Sequence, residues 1–424
     1  MPTFDWNILL FDGADPLQIA FFSTFNKFIG TIVGGLYESY SFPFLSAGNL
    51  VLYLFFFAMY SATASYAYLY HRHGIAMGFR SLWSSIRRAK NIQGDPYYDV
   101  HNRLMSQYKE VPEWWYSIVL MLAIAFGIAG ITGWETYTSP GVVFYGLALC
   151  ALFVIPAGII KAMTGIDVTL NVLAEFIGGS WVTGNALAVN YFKSFGYITC
   201  AHALGFSNDL KLAHYVKIPP RQTFCAQIGA TLISTFVCTG LLNFQMNHIP
   251  GVCTVDAPNH FTCPDINTFF TASVLWGTVG TLKVFGSSGI YTALLAGFPV
   301  GFTVPIILYY ISKRFKKSWM RQVHPVAIFY GALNWAPYNF AYIWPAVPIA
   351  WVSWVWLKKR YSSLWCKYNF VLAAAFSTAI TISATVIFFA LQFMSIELDW
   401  WGNSVTSIGC EGDACTRFHL EEGE

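Results

Sequence analysis

Charge is what this sequence has least of. Of its 424 residues only 11% are Asp, Glu, Lys or Arg, where soluble globular domains carry about 25%. That scarcity excludes a solvated surface over most of the chain. A net charge of +3 is too small to recruit nucleic acid, and the basic residues lie in short blocks between apolar runs. No nucleotide-binding loop, Ser/His/Asp order or zinc spacing stands out, and the nine His show no metal-ligand spacing. No enzymatic activity, cofactor or metal site is therefore expected. The polar, acidic opening "MPTFDWNILLFDGADP" has no basic n-region, so no cleavable signal is expected.

Apolar surface is abundant: 56% of residues are hydrophobic and 18% aromatic. Runs of about 20 apolar residues recur, the length that crosses a bilayer core about 30 Å thick. The fold class is an all-α polytopic membrane protein, with about six full transmembrane helices plus broken or re-entrant segments. The clear crossings are 47–65, 116–135, 141–161, 226–245, 288–312 and 370–393.

The stretches between crossings sort by charge. One group is basic: 71–109 carries Arg72, Arg80, Arg87, Arg88, Lys90 and Arg103, while 313–321 reads "KRFKKSWMR" and 358–360 reads "KKR". The other group, 248–267 and 397–424, is nearly free of Lys and Arg. The positive-inside bias makes the first group cytoplasmic. The expected organisation is an extracellular segment 1–46, a transmembrane domain 47–424, a cytoplasmic loop 71–115, an extracellular loop 247–268 and an extracellular tail 395–424. Cysteine agrees, because Cys253 with Cys263 and Cys410 with Cys415 fall in the two outer stretches, where disulfides persist. Cys150, Cys200, Cys225 and Cys238 lie in or beside membrane runs and read as small apolar fillers.

Lys161 and the cluster 211–221 should both be cytoplasmic, so the segment between them must cross an even number of times or enter and return. It contains Gly165, Gly178, Gly179, Gly184 and Gly196, so its helices should be broken. Residues 323–357 pose the same problem and hold Pro325, Pro337, Pro345 and Pro348. A shorter apolar segment, 269–286, has Gly277 and Gly280 midway. Irregular backbone at membrane depth is tolerated only where protein or a watery cavity satisfies it, and secondary transporters build midplane substrate sites this way. A pore loop or an irregular scaffold is the alternative.

In the first broken segment "NVLAEFIGG" sets Asn171 and Glu175 on one helical face. A carboxylate at that depth is a candidate proton carrier, with Asn171 a substrate or backbone partner; a Glu bonded to broken backbone at the interface is the alternative. Asn185, Asn190, Lys193 and Tyr197 continue the polar theme. In the second, Asn334, Trp335, Tyr338, Asn339, Tyr342 and Trp344 surround Pro337. Aromatic faces and amides of this kind line peptide pockets, or they form an interfacial belt.

At "KIPPR", Lys217 to Arg221, the pattern resembles the signature of the oligopeptide transporter (OPT) family, peptide-transporting clade of fungal type. The likeness extends over "DVHNRLMSQYKEVPEWWY", "LNVLAEFIGG", "FKSFGYITCAHALGFSNDLKLAHYVKIPPR", "FTCPDINTFFTASVLWGTVG", "KYNFVLAAAF" and "LDWWGN". It covers the family's C-terminal half only; the N-terminal signature of the Ser-Pro-Tyr…Glu-Val-Arg type has no counterpart here. Within the matched part the chain differs at Ser180, Thr183, Ala186 and Thr281, and in "WAPYNFAY". The resemblance implies proton-coupled import of tetra- or pentapeptides or glutathione-like compounds, across the plasma membrane in preference to a vacuolar one. The partners expected are the bilayer, a small peptide, protons, and an N-terminal half or a second copy. A non-transporting half-transporter or scaffold is the alternative, and a metal-chelate transporter or channel a further one.

Pro219 and Pro220 withhold two N–H donors and disfavour helix just before them. The chain should therefore run extended to a helix beginning near 221–224. Lys211 and His214 suit anionic headgroups. Lys217 and Arg221 read as a gate on the cytoplasmic mouth, paired with Asp209 or Asp167 and hinged on the two prolines.

Overall fold

The computed structural model describes residues 45–86, 100–134, 136–182, 184–249, 272–287, 289–315, 323–335, 344–392, 394, 396 and 400–401. Every regular element among them is helical. Among the described residues six helices are long and apolar enough to span a bilayer, and they overlap the six crossings read from the sequence. The outer cysteines Cys253, Cys263, Cys410 and Cys415, most of the N-terminal segment and outer loop, and the pocket candidates Tyr338 and Asn339 lie outside the described residues.

The described chain divides into two compact units. In the larger, α1 (Ala47–Ile86) runs well past the expected cytoplasmic boundary at residue 71. Nothing in "HRHGIAMGFRSLWSSI" stops it, since Gly74 and Gly78 each cost only about 1 kcal/mol in a helix interior and no proline intervenes. A short α2 (Val100–Met105) leads to α3 (Glu113–Gly133) and α4 (Gly141–Thr164). Gly165, at φ 74°, ends α4 in the left-handed conformation and opens a non-helical stretch to Leu170. Then come α5 (Asn171–Trp181), a turn, and one uninterrupted helical rod: α6 (Ala186–Lys193), a π-helical turn Ser194–Ile198 and α7 (Thr199–Val216).

This is the hairpin that charge placement demanded. At about 1.5 Å per residue, α5 alone covers only about half a bilayer core, and the non-helical stretch 165–170 precedes it in the same arm. Asn185 fixes the tip: it caps α6 by accepting from the Ala188 amide at 3.1 Å and donates through Nδ2 to the Tyr137 carbonyl at 3.0 Å. The tip thus lies beside the α3–α4 connection, and the arms return to the Lys161 end. After Lys217 and Ile218, α8 (Pro220–His248) starts on Pro220 itself, slightly earlier than expected. A first helical position is where a missing N–H costs nothing.

The second broken element is the π-wound segment Val274–Gly280, followed after Gly280 (φ 90°) by α9 (Thr281–Phe285). A 3₁₀ turn, Thr292–Ala296, leads into α10 (Gly297–Arg314), and α11 (Pro325–Trp335) completes the unit. Phe57 of α1 stacks on Phe298 with centroids 4.8 Å apart and meets Phe176 at 5.2 Å edge-on. Trp276, fully buried, stacks on Phe285 at 5.0 Å. These rings tie α1, α5, both parts of the broken segment and α10 into one aromatic core.

The smaller unit holds α12 (Ala346–Trp351), a π-helical stretch Val352–Leu357, α13 (Lys358–Arg360) and α14 (Ser362–Ile387). It is pinned by Ser353, which donates to Asn369 Oδ1 at 2.6 Å and accepts from Trp365 Nε1 at 3.1 Å.

Candidate functional site

Helix α5 carries Asn171 in its first turn and Glu175 one turn on, both facing inward because α5 is packed between α6 and the π-wound segment. Gly179 makes that packing possible: a Cβ there would press on the Trp276 backbone carbonyl and stand 2.6 Å from Thr281 Oγ1. Hydrogen bonds lock the two broken segments together, from the Gly184 amide to the Gly277 carbonyl at 2.9 Å and from Thr281 Oγ1 to the Phe176 carbonyl at 3.1 Å.

Within this frame Lys193 Nζ reaches Glu175 Oε1 at 2.6 Å, and both side chains are buried. A pair of opposite charges is how a membrane interior accommodates ionisable groups. Asn171 Oδ1 is buried with no hydrogen-bond partner among the described residues, an acceptor one turn from the pair. The Tyr60 hydroxyl donates to the Thr169 carbonyl at 2.9 Å and so holds the non-helical stretch against α1.

That stretch floors a cleft of about 260 Å³ lined by Lys161, Asp167, Thr169, Tyr197, Cys200 and Leu204 among others. Lys161 and Asp167 pair at 2.6 Å at its edge and are partly exposed. The cleft thus offers one cation and one anion side by side, with a Tyr on its wall and Asn171 next in chain after its floor.

Of the residues expected in the site, Tyr197 lines this cleft, while Asn171 and Glu175 follow its floor in chain on the first turns of α5. Asn185 is occupied as the tip cap. Asn334 bonds back to the Tyr330 carbonyl at 3.3 Å on α11. The gate residues are arranged differently from the expectation. Asp167 is taken by Lys161, its neighbour across the Gly165 turn, and Asp209 Oδ2 accepts from Gln227 Nε2 at 2.8 Å on α8. Lys217 instead meets His101 Nδ1 at 2.7 Å and donates to the His214 carbonyl at 2.8 Å. Arg221 donates to the Glu110 carbonyl at 3.0 Å and lies 5.9 Å over the Trp115 ring. The two cations flanking the prolines therefore clasp the 100–116 segment. Sequence reasoning missed this clasp, although the unusual basic density at 211–221 was its signal.

The family model of the OPT oligopeptide transporter protein matches residues 35–391. Similar proteins include "Oligopeptide transporter 2" of Saccharomyces cerevisiae, 32% identical over 97% of this chain and 53% of its own length. "Oligopeptide transporter 1" of Arabidopsis thaliana is 34% identical over 86% and 49% of the two lengths. "Glutathione transporter 1" of Schizosaccharomyces pombe is 32% identical over 87% and 42%. The chain spans about half the length of these relatives. No solved structure matches it.

Proposed function

The chain belongs to the OPT oligopeptide transporter family, and we propose that it takes part in proton-coupled movement of small peptides across the plasma membrane, tetra- and pentapeptides and glutathione-like compounds among them. The observation that carries this reading is the buried Glu175–Lys193 pair on a re-entrant hairpin, one turn from Asn171 Oδ1, an acceptor buried with no hydrogen-bond partner among the described residues. A proton delivered to Glu175 would cancel the negative charge that faces Lys193 Nζ at 2.6 Å. Losing a buried counter-charge is costly, so protonation favours any rearrangement that brings Lys193 nearer water. Binding and proton uptake then act on one element, the α5–α6 hairpin.

The Lys161–Asp167 cleft suits the zwitterionic ends of a peptide, the ammonium toward Asp167 and the carboxylate toward Lys161, with Asn171 and Tyr197 meeting its amides. The clasp made by Lys217 and Arg221, hinged at Pro219 and Pro220 with Asp209 nearby in sequence, serves as the gate on the cytoplasmic side. The length relationship favours a second reading, in which this chain is a half-transporter that needs an N-terminal half or a second copy to alternate access.

Uptake of a labelled tetrapeptide by cells producing this chain tests both. Saturable uptake that collapses with the proton gradient supports the first reading. Absence of uptake, with the protein in the plasma membrane, supports the second. Non-saturating flux insensitive to the gradient would overturn both in favour of a channel.

A further inference from the structure

Two cations hold the segment 100–116 against the end of α7 and the start of α8, and they hold it by different chemistry. Arg221 donates to the Glu110 backbone carbonyl at 3.0 Å and lies over the Trp115 ring. A guanidinium keeps its charge and a carbonyl does not titrate, so this end of the clasp is indifferent to pH. At the other end Lys217 Nζ stands 2.7 Å from His101 Nδ1 and donates to the His214 carbonyl at 2.8 Å. A lysine ammonium has donors only. His101 Nδ1 must therefore be the acceptor, which fixes this ring as neutral with its hydrogen on Nε2. A proton on Nδ1 removes that acceptor and sets two cations face to face. The backbone leans the same way, since Lys217 is held at φ 70°, a conformation L side chains avoid.

The charged and titratable groups around His101 come from three elements. Lys211, His214, Tyr215 and Lys217 end α7, Arg221 opens α8, and Arg103, Lys109 and Glu110 belong to its own segment. Tyr215 meets the His101 ring edge-on at 5.1 Å and carries the Lys211 ammonium 4.8 Å from its centroid. We propose that His101 is a proton-binding site on the cytoplasmic face. Uptake of one proton at Nδ1 releases Lys217 and unlatches the 100–108 end of the segment, while Arg221 keeps the 110–116 end in place. One proton binds and one hydrogen bond breaks; Lys217 keeps the His214 carbonyl and turns its other donors to water. Imidazole changes charge between about pH 5 and 8, so the latch responds to acidification of the compartment it faces. What the release does at the cytoplasmic mouth rests on the clasp being the gate: proton-coupled import then loosens the gate from within.

Ser106 and Tyr108 report the latch end, their amides donating to the Asn102 and Met105 carbonyls at 2.9 Å each; Trp115, donating to the Pro112 carbonyl at 3.0 Å, reports the anchored end. Hydrogen exchange of the full chain in detergent, without substrate, is compared with that of its variants at about pH 8 and again at about pH 5, the limits of imidazole titration. His101→Gln offers Lys217 an amide oxygen that takes no proton, His101→Arg is a permanent cation, and His214→Asn removes the neighbouring imidazole. At the higher pH the Ser106 and Tyr108 amides should exchange alike in the unaltered chain and His101→Gln. In His101→Arg they should exchange faster by about tenfold or more, the effect of losing a hydrogen bond to a charged group. At the lower pH the unaltered chain and His214→Asn should match His101→Arg while His101→Gln keeps its protection, with Trp115 unchanged throughout. The proposal is overturned if the unaltered chain tracks His101→Gln at the lower pH, or if His101→Arg is as protected as the unaltered chain at the higher. It is equally overturned if His214→Asn no longer responds to acid, because the other imidazole is then the switch. Lys217→Met, which lacks the donor, decides where His101→Gln fails to fold: its latch end should be open at both pH values, and a remaining acid response overturns the proposal. Acid release without any pH dependence of peptide leak sinks the gate reading and leaves the proton site standing.

Discussion

Glu175 and Lys193, 18 positions apart, meet at 2.6 Å across a hairpin whose tip lies at the far end of the bundle from Lys161. Neither charge is tolerable alone at that depth. Removing one partner of a buried pair costs about 3–5 kcal/mol, whereas replacing both by uncharged groups of similar volume is often close to neutral. Glu175→Gln and Lys193→Met should therefore each lower the yield of folded protein, and the combined variant should restore it. If Glu175 carries the coupling proton, the restored double variant still exchanges peptide but fails to accumulate it against a proton gradient. Surface expression, exchange and accumulation measured side by side decide the matter; gradient-driven accumulation by the double variant would remove Glu175 from the coupling step.

Much of this arrangement was legible from residue types. Six apolar runs announced the spans, and the requirement that Lys161 and Lys217 lie on one side announced a hairpin before its geometry was seen. What was not legible was pairing. Asp167 looked free to meet Lys217 because sequence separation hides the Gly165 turn that hands it to Lys161. Lys193 was visible as a polar residue, but its distance to Glu175 depends on the register of α5 on α6. That register is set by close approaches such as Gly178 on Phe192, where a Cβ on the glycine would stand 3.1 Å from the ring, a packing constraint that residue spacing does not display. The clasp by Lys217 and Arg221 was hidden for another reason. Its partners are a ring nitrogen and a backbone carbonyl, and neither announces itself as an opposite charge.

Gly179 gives a direct stability test. A methyl group at this position has no room against the Trp276 carbonyl and Thr281, and overpacking of this kind costs about 1–3 kcal/mol. Gly205, in the interior of α7, has open space where a Cβ would go, so Gly205→Ala should gain up to about 1 kcal/mol of helix propensity. Thermal unfolding in detergent should rank Gly205→Ala at or above the unaltered protein and Gly179→Ala well below it. Equal midpoints for the two variants would contradict the close packing of α5 on the π-wound segment.

Lys217 sits in the left-handed conformation, φ 70°, at the end of α7, which costs an ordinary side chain about 1 kcal/mol that glycine avoids. It tolerates the strain while clasping His101 and the His214 carbonyl. Lys217→Gly and Lys217→Met both lose the clasp, but only the glycine relieves the backbone, so the glycine variant should be the more stable by about 1 kcal/mol. If the clasp is a gate, both variants lose control of the cytoplasmic mouth to the same degree and leak peptide outward down its gradient. An efflux defect that follows stability instead would make Lys217 a helix-end anchor only.

The last prediction concerns pH. His324 stands directly ahead of α11, its Nδ1 accepting from the Ala327 amide at 3.4 Å, its ring 4.4 Å from that of Tyr66, and its Nε2 buried without a partner. Burial first, and then the His71 ring flanking the same Tyr66 at 5.9 Å, holds His324 below the ordinary imidazole value of 6.5. The folded protein thus keeps this imidazole neutral at pH values where the unfolded chain has already taken a proton. Above about pH 6.5 both states are neutral and the group is silent; below it the unfolded state binds the extra proton, and stability falls until the lowered folded value is reached. His324→Asn keeps an acceptor for the Ala327 amide, since Asn is a favoured residue ahead of a helix, but cannot titrate. The unaltered protein should lose thermal stability between pH 7.5 and pH 5.5 more steeply than His324→Asn, the two converging at the upper end. Parallel pH profiles would show that His324 does not take part.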